Sequence, residues 1–167
     1  TLQLPATVSR EGVALRHDRS IMERLETLGF DTQRLSVQRR MHPEIVAFPN
    51  ARFYDGALQT EYTPSSDLEL APLRIVKLDG REEGVATSFQ NRAEAEAIAA
   101  AVRELGAQGV ALERIAVVTA YVAQQRLIQA MRLGITVHTV DSVQGKEADV
   151  VLLSLVRTEH LGFWADE

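Results

Sequence analysis

Apolar positions change period several times along the chain, and each change marks an element. Ser20 and Glu23 form a capping-box pair, and Ile21, Met22, Leu25 and Leu28 follow as an apolar stripe closed by Gly29, which predicts a short helix. Arg34 to Val37 predicts a short strand that runs into Gln38-Arg39-Arg40-Met41-His42-Pro43, where Pro43 suits the first turn of a new helix. Tyr62 to Pro72 is polar and carries Pro64, Ser65, Ser66 and Asp67, so it reads as a surface loop ahead of a strand from Leu73 to Leu78. Asn91 and Glu94 are placed to cap a helix with Ala95, Ile98, Ala99, Val102 and Leu105 on one face and Gly106 at its end.

The second half alternates strand and helix. Ile115 to Thr119 is a continuous apolar run rich in β-branched residues, and Ala123, Leu127, Ile128 and Met131 then describe a helical face ending near Gly134. Thr136 to Val140 predicts another strand. Val150 to Val156 is apolar at almost every position, as a central parallel strand covered on both faces would be. These elements predict an α/β fold with an open parallel sheet and helices on both faces, whose ligands gather at the carboxyl ends of the strands. No internal repeat and no low-complexity segment interrupts the pattern.

With 167 residues, the chain suits one domain, and 46% hydrophobic with 25% charged residues is ordinary for a globular protein. No run approaches the ~18 apolar residues that a membrane-spanning helix needs, so the chain is expected to be soluble and intracellular, in the cytoplasm or in a eukaryotic nucleus. Thr1-Leu2-Gln3-Leu4-Pro5 at one end and Phe163-Trp164-Ala165-Asp166-Glu167 at the other both read as cut edges of a longer protein. The absence of cysteine excludes disulfides, thiolate-bound zinc and thiol nucleophiles. A net charge of −5 argues against holding nucleic acid by a broad basic surface, although a local groove can still be positive.

Two segments carry candidate chemistry. Arg39 and Arg40 at a strand-to-helix turn can present guanidinium groups to a polyphosphate, and the plain alternative is a solvated basic turn. Val137 to Asp149 is a strand leaving into a polar loop, in which Gly145 allows positive φ or close approach, Lys146 can meet phosphate and Glu147 can accept from sugar hydroxyls, and the plain alternative is a tight β-β connection. The pattern GxxxxGK[ST] is absent, so this loop cannot cradle a triphosphate as a P-loop does. His138, Asp141, Glu147 and Asp149 lack a metal-ligand spacing, and no metal site is expected. His17 and His160 are set aside as catalysts, because exposed or capping histidines are the commoner outcome. Tyr121 and Trp164 suit packing as well as base stacking.

Taken together, these segments resemble superfamily 1 helicases of the 5′-to-3′ branch typified by the nonsense-mediated decay RNA helicase. Gln38 to Pro43 is similar to that family's QYRMHP motif, and Phe48-Pro49, Phe53-Tyr54 and Gly56-Ala57-Leu58 continue its FPxxxFYxGxL pattern. Ile115 to Gln125 resembles ITPYxxQ, Val137 to Arg157 resembles VxTVDxxQGxExDVxxxSxVR, and Gln3-Leu4-Pro5 resembles the tail of GDxxQLPP. The resemblance covers nearly the whole chain and implies one RecA-like second motor domain, residues 1–167. Residues 1–5 would be the remnant of the preceding motif, and the P-loop would lie in a preceding first RecA-like domain.

The resemblance also implies roles. Gln3 would sense the γ-phosphate of ATP, and Arg40 would meet it as an arginine finger. Arg39 stands where the family has tyrosine and would lie by the adenine, while Gly145, Lys146 and Glu147 would lie by phosphate and ribose. Thr119, Tyr121, Thr139 and Ser142 would contact single-stranded RNA or DNA, with ATP and Mg2+ held mainly by the first domain. Ala120 replaces the family's usual proline. The implied activity is ATP-dependent unwinding by the full-length protein, with the isolated chain inactive. The alternatives are a RecA-like binding module that has lost motor activity, or the helicase part of a helicase-nuclease fusion.

Overall fold

The computed structural model describes residues 8–64 and 70–160, and the chain divides into one compact unit through Ile75 and a second from Val76. In the first unit, Ser9 caps helix α1 (Arg10–Ala14) by accepting from Gly12 N at 3.2 Å. Ser20 caps helix α2 (Ile21–Thr27) by accepting from Glu23 N at 3.1 Å, the capping residue the sequence predicts. Gly29, at φ 80°, takes the left-handed turn that ends α2.

The strand expected from Arg34 is shorter than its apolar pattern. Only Val37–Gln38 (β1) pairs, in parallel with Gln59–Thr60 (β2), and a two-residue partner leaves Leu35 90% exposed. Between them runs helix α3 (Pro43–Phe53), opened by Pro43, whose missing N–H is lost at no cost in the first turn. Beyond the helix, the Asn50 side chain accepts from Leu58 N at 2.9 Å and donates to Leu58 O at 3.0 Å, folding the chain back toward β2.

The second unit opens with an antiparallel hairpin, β3 (Glu83–Val85) and β4 (Ser88–Gln90), that the sequence pattern does not announce because its residues are mostly polar and lack alternation. Helix α4 (Arg92–Ala107) begins at Asn91, whose side chain accepts from Glu94 N at 3.2 Å. Its Ala95, Ile98, Ala99 and Val102 are buried, as predicted. The helix runs through Gly106, and the reversal falls instead at Gly109, φ 91°, with Val110 N donating to Leu105 O at 3.0 Å.

After a 3-10 turn (Leu112–Arg114) come strand β5 (Ile115–Thr119), helix α5 (Val122–Ala130) and strands β6 (Thr136–Thr139) and β7 (Val150–Ser154). The three strands form a parallel sheet in the order β6-β5-β7, in register so that Thr119 stands beside both Thr139 and Ser154. Their carboxyl ends therefore share one edge. Helices α4 and α5 pack against this sheet, giving the RecA-like α/β arrangement.

Two strand expectations change. β5, not β7, is the central strand: all five of its residues are buried, whereas Val151 and Leu153 of β7 are 55% and 58% exposed. An unbroken apolar run cannot say which strand gains a neighbour on each side. The strand expected over Leu73–Leu78 does not form, and Ile75 is 88% exposed, because no neighbouring strand among the described residues takes up its backbone groups.

Candidate functional site

Each unit holds a separate cluster of the residues singled out above. In the first unit the turn between β1 and α3 is built around Gln38. Its Oε1 accepts from Arg40 N at 3.1 Å and Met41 N at 2.8 Å, while its Nε2 donates to Met41 O at 2.8 Å and Thr60 Oγ1 at 2.9 Å. One carboxamide thus bonds the turn's backbone at three points and ties it to β2. His42 caps α3, its Nδ1 accepting from Glu44 N at 3.2 Å, and its ring meets Tyr62 edge-on at 5.5 Å. Arg40 stands exposed on this fixed turn. The Arg39 guanidinium pairs with Glu61 at 2.5 Å, with side chains 70% and 60% exposed, so that pair contributes little stability.

In the second unit the carboxyl edge of the sheet gathers three exits. Thr119, at the end of β5, is fully buried, and its Oγ1 accepts from Tyr121 N at 3.4 Å. Tyr121 is buried too, its ring edge-on to Phe89 at 5.9 Å. Neither presents its side chain at the surface as a stacking platform or hydroxyl contact does. Thr139, the last residue of β6, and Ser142, just beyond it, are nearer solvent and hydrogen-bonded to each other: Thr139 N donates to Ser142 Oγ at 2.9 Å, and Ser142 N to Thr139 Oγ1 at 3.3 Å.

Gly145 has φ 79°, a conformation that favours glycine, and nothing stands within 4 Å of where a Cβ would project. The loop is open on that side. Lys146 and Glu147 are exposed beside it. Burial, aided by the positive charge of Lys146, holds His138 below its ordinary pKa of 6.5. Among the described residues no group of three or more His, Cys, Asp or Glu side chains is placed to hold a metal ion. Gln3 and Trp164 lie outside the described residues.

The third exit, after β7, was not singled out from the sequence. Val156 is fully buried and adopts φ 70°, a rare conformation for a β-branched residue. It throws Arg157 over the Phe89 ring at 4.0 Å, where Arg157 Nε donates to Glu82 at 3.0 Å. Glu82 also accepts from Thr158 N at 2.6 Å and Glu159 N at 3.2 Å, and these bonds, Thr158's first, draw its carboxyl below the usual range. Hydrogen bonding to Glu82, supported by Tyr121, raises Arg157 above the usual arginine value.

A model of the AAA domain family AAA_12 matches residues 17–167. The chain belongs to that family. It is 31% identical, over 97% of its length, to the regulator of nonsense transcripts 1 homolog of Drosophila melanogaster, and 36% identical, over 96%, to the ATP-dependent helicase upf1 of Schizosaccharomyces pombe. It is also 34% identical, over 96%, to the 5′-3′ DNA helicase ZGRF1 of Mus musculus. The chain spans only 16%, 20% and 10% of these relatives, respectively. Similarity to superfamily 1 helicases of the nonsense-mediated decay type, first seen in the motifs, therefore holds over one domain-sized stretch.

Within this AAA_12 domain, Gln124 is the buried residue that sequence reading under-weighted. It lies one turn before Ile128 on the apolar face of α5, and a fully buried glutamine there signals a polar contact inside the core.

Proposed function

We propose that this AAA_12 chain is the second motor domain of an ATP-dependent helicase or translocase that moves on single-stranded RNA or DNA. The full-length protein hydrolyses ATP held mainly, with its Mg2+, by a first RecA-like domain, and the isolated chain is inactive. The observation that carries this reading is the Gln38-braced turn, which holds Arg40 exposed at the start of α3.

ATP supplies a phosphoryl group whose transfer builds negative charge on the equatorial oxygens, and a positioned guanidinium offsets that charge. Arg40 is assigned this task, and Gln3 the sensing of the γ-phosphate. Arg39 is assigned to the adenine, on condition that its guanidinium leaves Glu61. The open side of Gly145, with Lys146 and Glu147, suits approach of a phosphate and a ribose hydroxyl. For the strand, Thr139 and Ser142 offer hydroxyls near the surface, and buried Thr119 and Tyr121 shape the adjoining loop from within. Backbone contacts of this kind track a strand without reading its bases.

The deciding experiment is steady-state ATP hydrolysis by the full-length protein with and without single-stranded RNA or DNA. Arg40→Ala is expected to lower kcat by about 1,000-fold while the KM for ATP moves far less. An unchanged kcat rejects the role.

A further inference from the structure

Gln124 makes an unusual connection for a side chain with no exposed surface. Its Oε1 accepts from Asn91 N at 2.8 Å and its Nε2 donates to Asn91 O at 3.1 Å, so one carboxamide pairs with both backbone groups of a single residue, as a neighbouring strand would. The second Nε2 proton goes to Ser154 Oγ at 3.0 Å. Ser154 Oγ donates in turn to Glu94 Oε2 at 2.6 Å, and the Glu94 carboxylate accepts from Val156 N at 3.0 Å. Asn91 Nδ2 then donates to Val156 O at 3.2 Å, which closes the circuit. Among the described residues no buried side-chain polar atom is left without a partner.

The circuit has a geometric consequence. Left-handed φ is strained for a β-branched residue and persists only where the surroundings fix it. Here Glu94 grips the Val156 N–H and Asn91 grips its C=O, and the bent chain delivers Arg157 onto Phe89. Phe89 also meets Tyr121 in a T-shaped contact at 5.9 Å; Tyr121 lies in the loop that leaves β5 and enters α5, and Gln124 lies in the first turn of that helix. The loop after β5 and the exit of β7 are therefore joined twice, through the carboxamide and through the Tyr121, Phe89 and Arg157 stack.

We infer that Gln124 is a positioning residue for strand binding, locking the loop after β5 to the exit of β7 so that both present one rigid edge to a single strand. This rests on the proposed strand-tracking function. A cluster in which every member is satisfied is rigid, and loss of one member leaves buried groups unpaired, so the edge loosens as a whole.

The test uses the full-length protein and a single-stranded oligonucleotide, supplied as RNA and as DNA, with ATP hydrolysis as the readout. Gln124→Met keeps the volume and removes the hydrogen bonds. It is expected to raise the oligonucleotide concentration that half-saturates stimulation by about tenfold, while the KM for ATP without oligonucleotide shifts by less than about twofold. Ser154→Ala, which cuts the circuit at one hydroxyl, is expected to shift the same concentration by about threefold. A merely structural defect lowers the amount of active protein and leaves half-saturation where it was. Folded Gln124→Met protein whose half-saturation stays within about twofold of wild type overturns the inference, and so does an equal shift in both constants. Should Gln124→Met fail to fold, an unchanged half-saturation in Ser154→Ala overturns it instead. Wild-type protein that no oligonucleotide stimulates refutes the strand-tracking function itself, a result distinct from normal stimulation with indifferent variants.

Discussion

Gln38 holds Arg40 by the backbone: its Oε1 accepts the Arg40 N–H at 3.1 Å, and the same oxygen takes the Met41 N–H at 2.8 Å. The guanidinium proposed to meet a phosphate is thus aimed by a neutral neighbour two residues earlier. Removing that carboxamide leaves the turn free to sample other conformations while the charge itself remains.

If aim is the function of Gln38, Gln38→Ala in the full-length protein lowers kcat for ATP hydrolysis by about tenfold or more. The double variant Gln38→Ala with Arg40→Ala is expected to be no slower than Arg40→Ala alone. A double-variant cycle checks this, and strictly additive losses would show that Gln38 acts through something other than Arg40.

His138 provides a pH signature. Burial, first, and the Lys146 charge, second, hold its folded pKa below 6.5, so the unfolded chain binds more protons in the acidic window. The stability this contributes is present above the unfolded value and is lost as pH falls through it toward the folded one. Lys146→Met is expected to raise the His138 pKa, read from the imidazole resonances in an NMR titration. A pKa that stays put or falls contradicts the placement of Lys146.

Gly80 is packed against the start of α4. A Cβ there would stand 2.7 Å from Asn91 Oδ1 and 2.8 Å from Ala93 Cβ, and Asn91 is itself fixed by Gln124 and Val156. Gly80→Ala is therefore expected to destabilise the second unit by about 1–3 kcal/mol, measured by urea unfolding. Wild-type stability would mean that the helix cap can shift without cost.

The isolated chain offers a separate check. It contains no P-loop pattern, and its described residues hold no group suited to a metal ion. Purified residues 1–167 are expected to show no ATP turnover above background, with or without Mg2+, while circular dichroism shows a folded α/β protein. Turnover that tracks with the chain through purification would refute the division of labour proposed above.

Much of this was legible from periodicity and caps. Asn91 with Glu94 announced α4 because an N-cap side chain and a 3.6-residue apolar stripe are local properties, readable without knowing what the helix packs on. Ser20 and Pro43 announced α2 and α3 for the same reason. The candidate chemistry at Arg39, Arg40 and Gly145 to Glu147 was legible because residue type and order alone define a motif. The polar hairpin Glu83–Gln90 was not, since its strands are defined by each other and by no apolar alternation.

The sequence by itself determined helices α2 to α5, strands β5 to β7, the motifs and the membership of the family they match. Tertiary structure decided what depends on neighbours distant in the chain. It made β5 the central strand and left one face of β7 exposed, although both read as apolar runs. It buried Thr119 and Tyr121, which the family resemblance had offered to a single strand, and it turned Gln124 from one letter of a motif into the link between three elements. Burial and hydrogen-bond partnership arise from residues 30 to 65 positions apart, such as Gln124 with Ser154 and Asn91 with Val156, and no local pattern encodes a contact at that range.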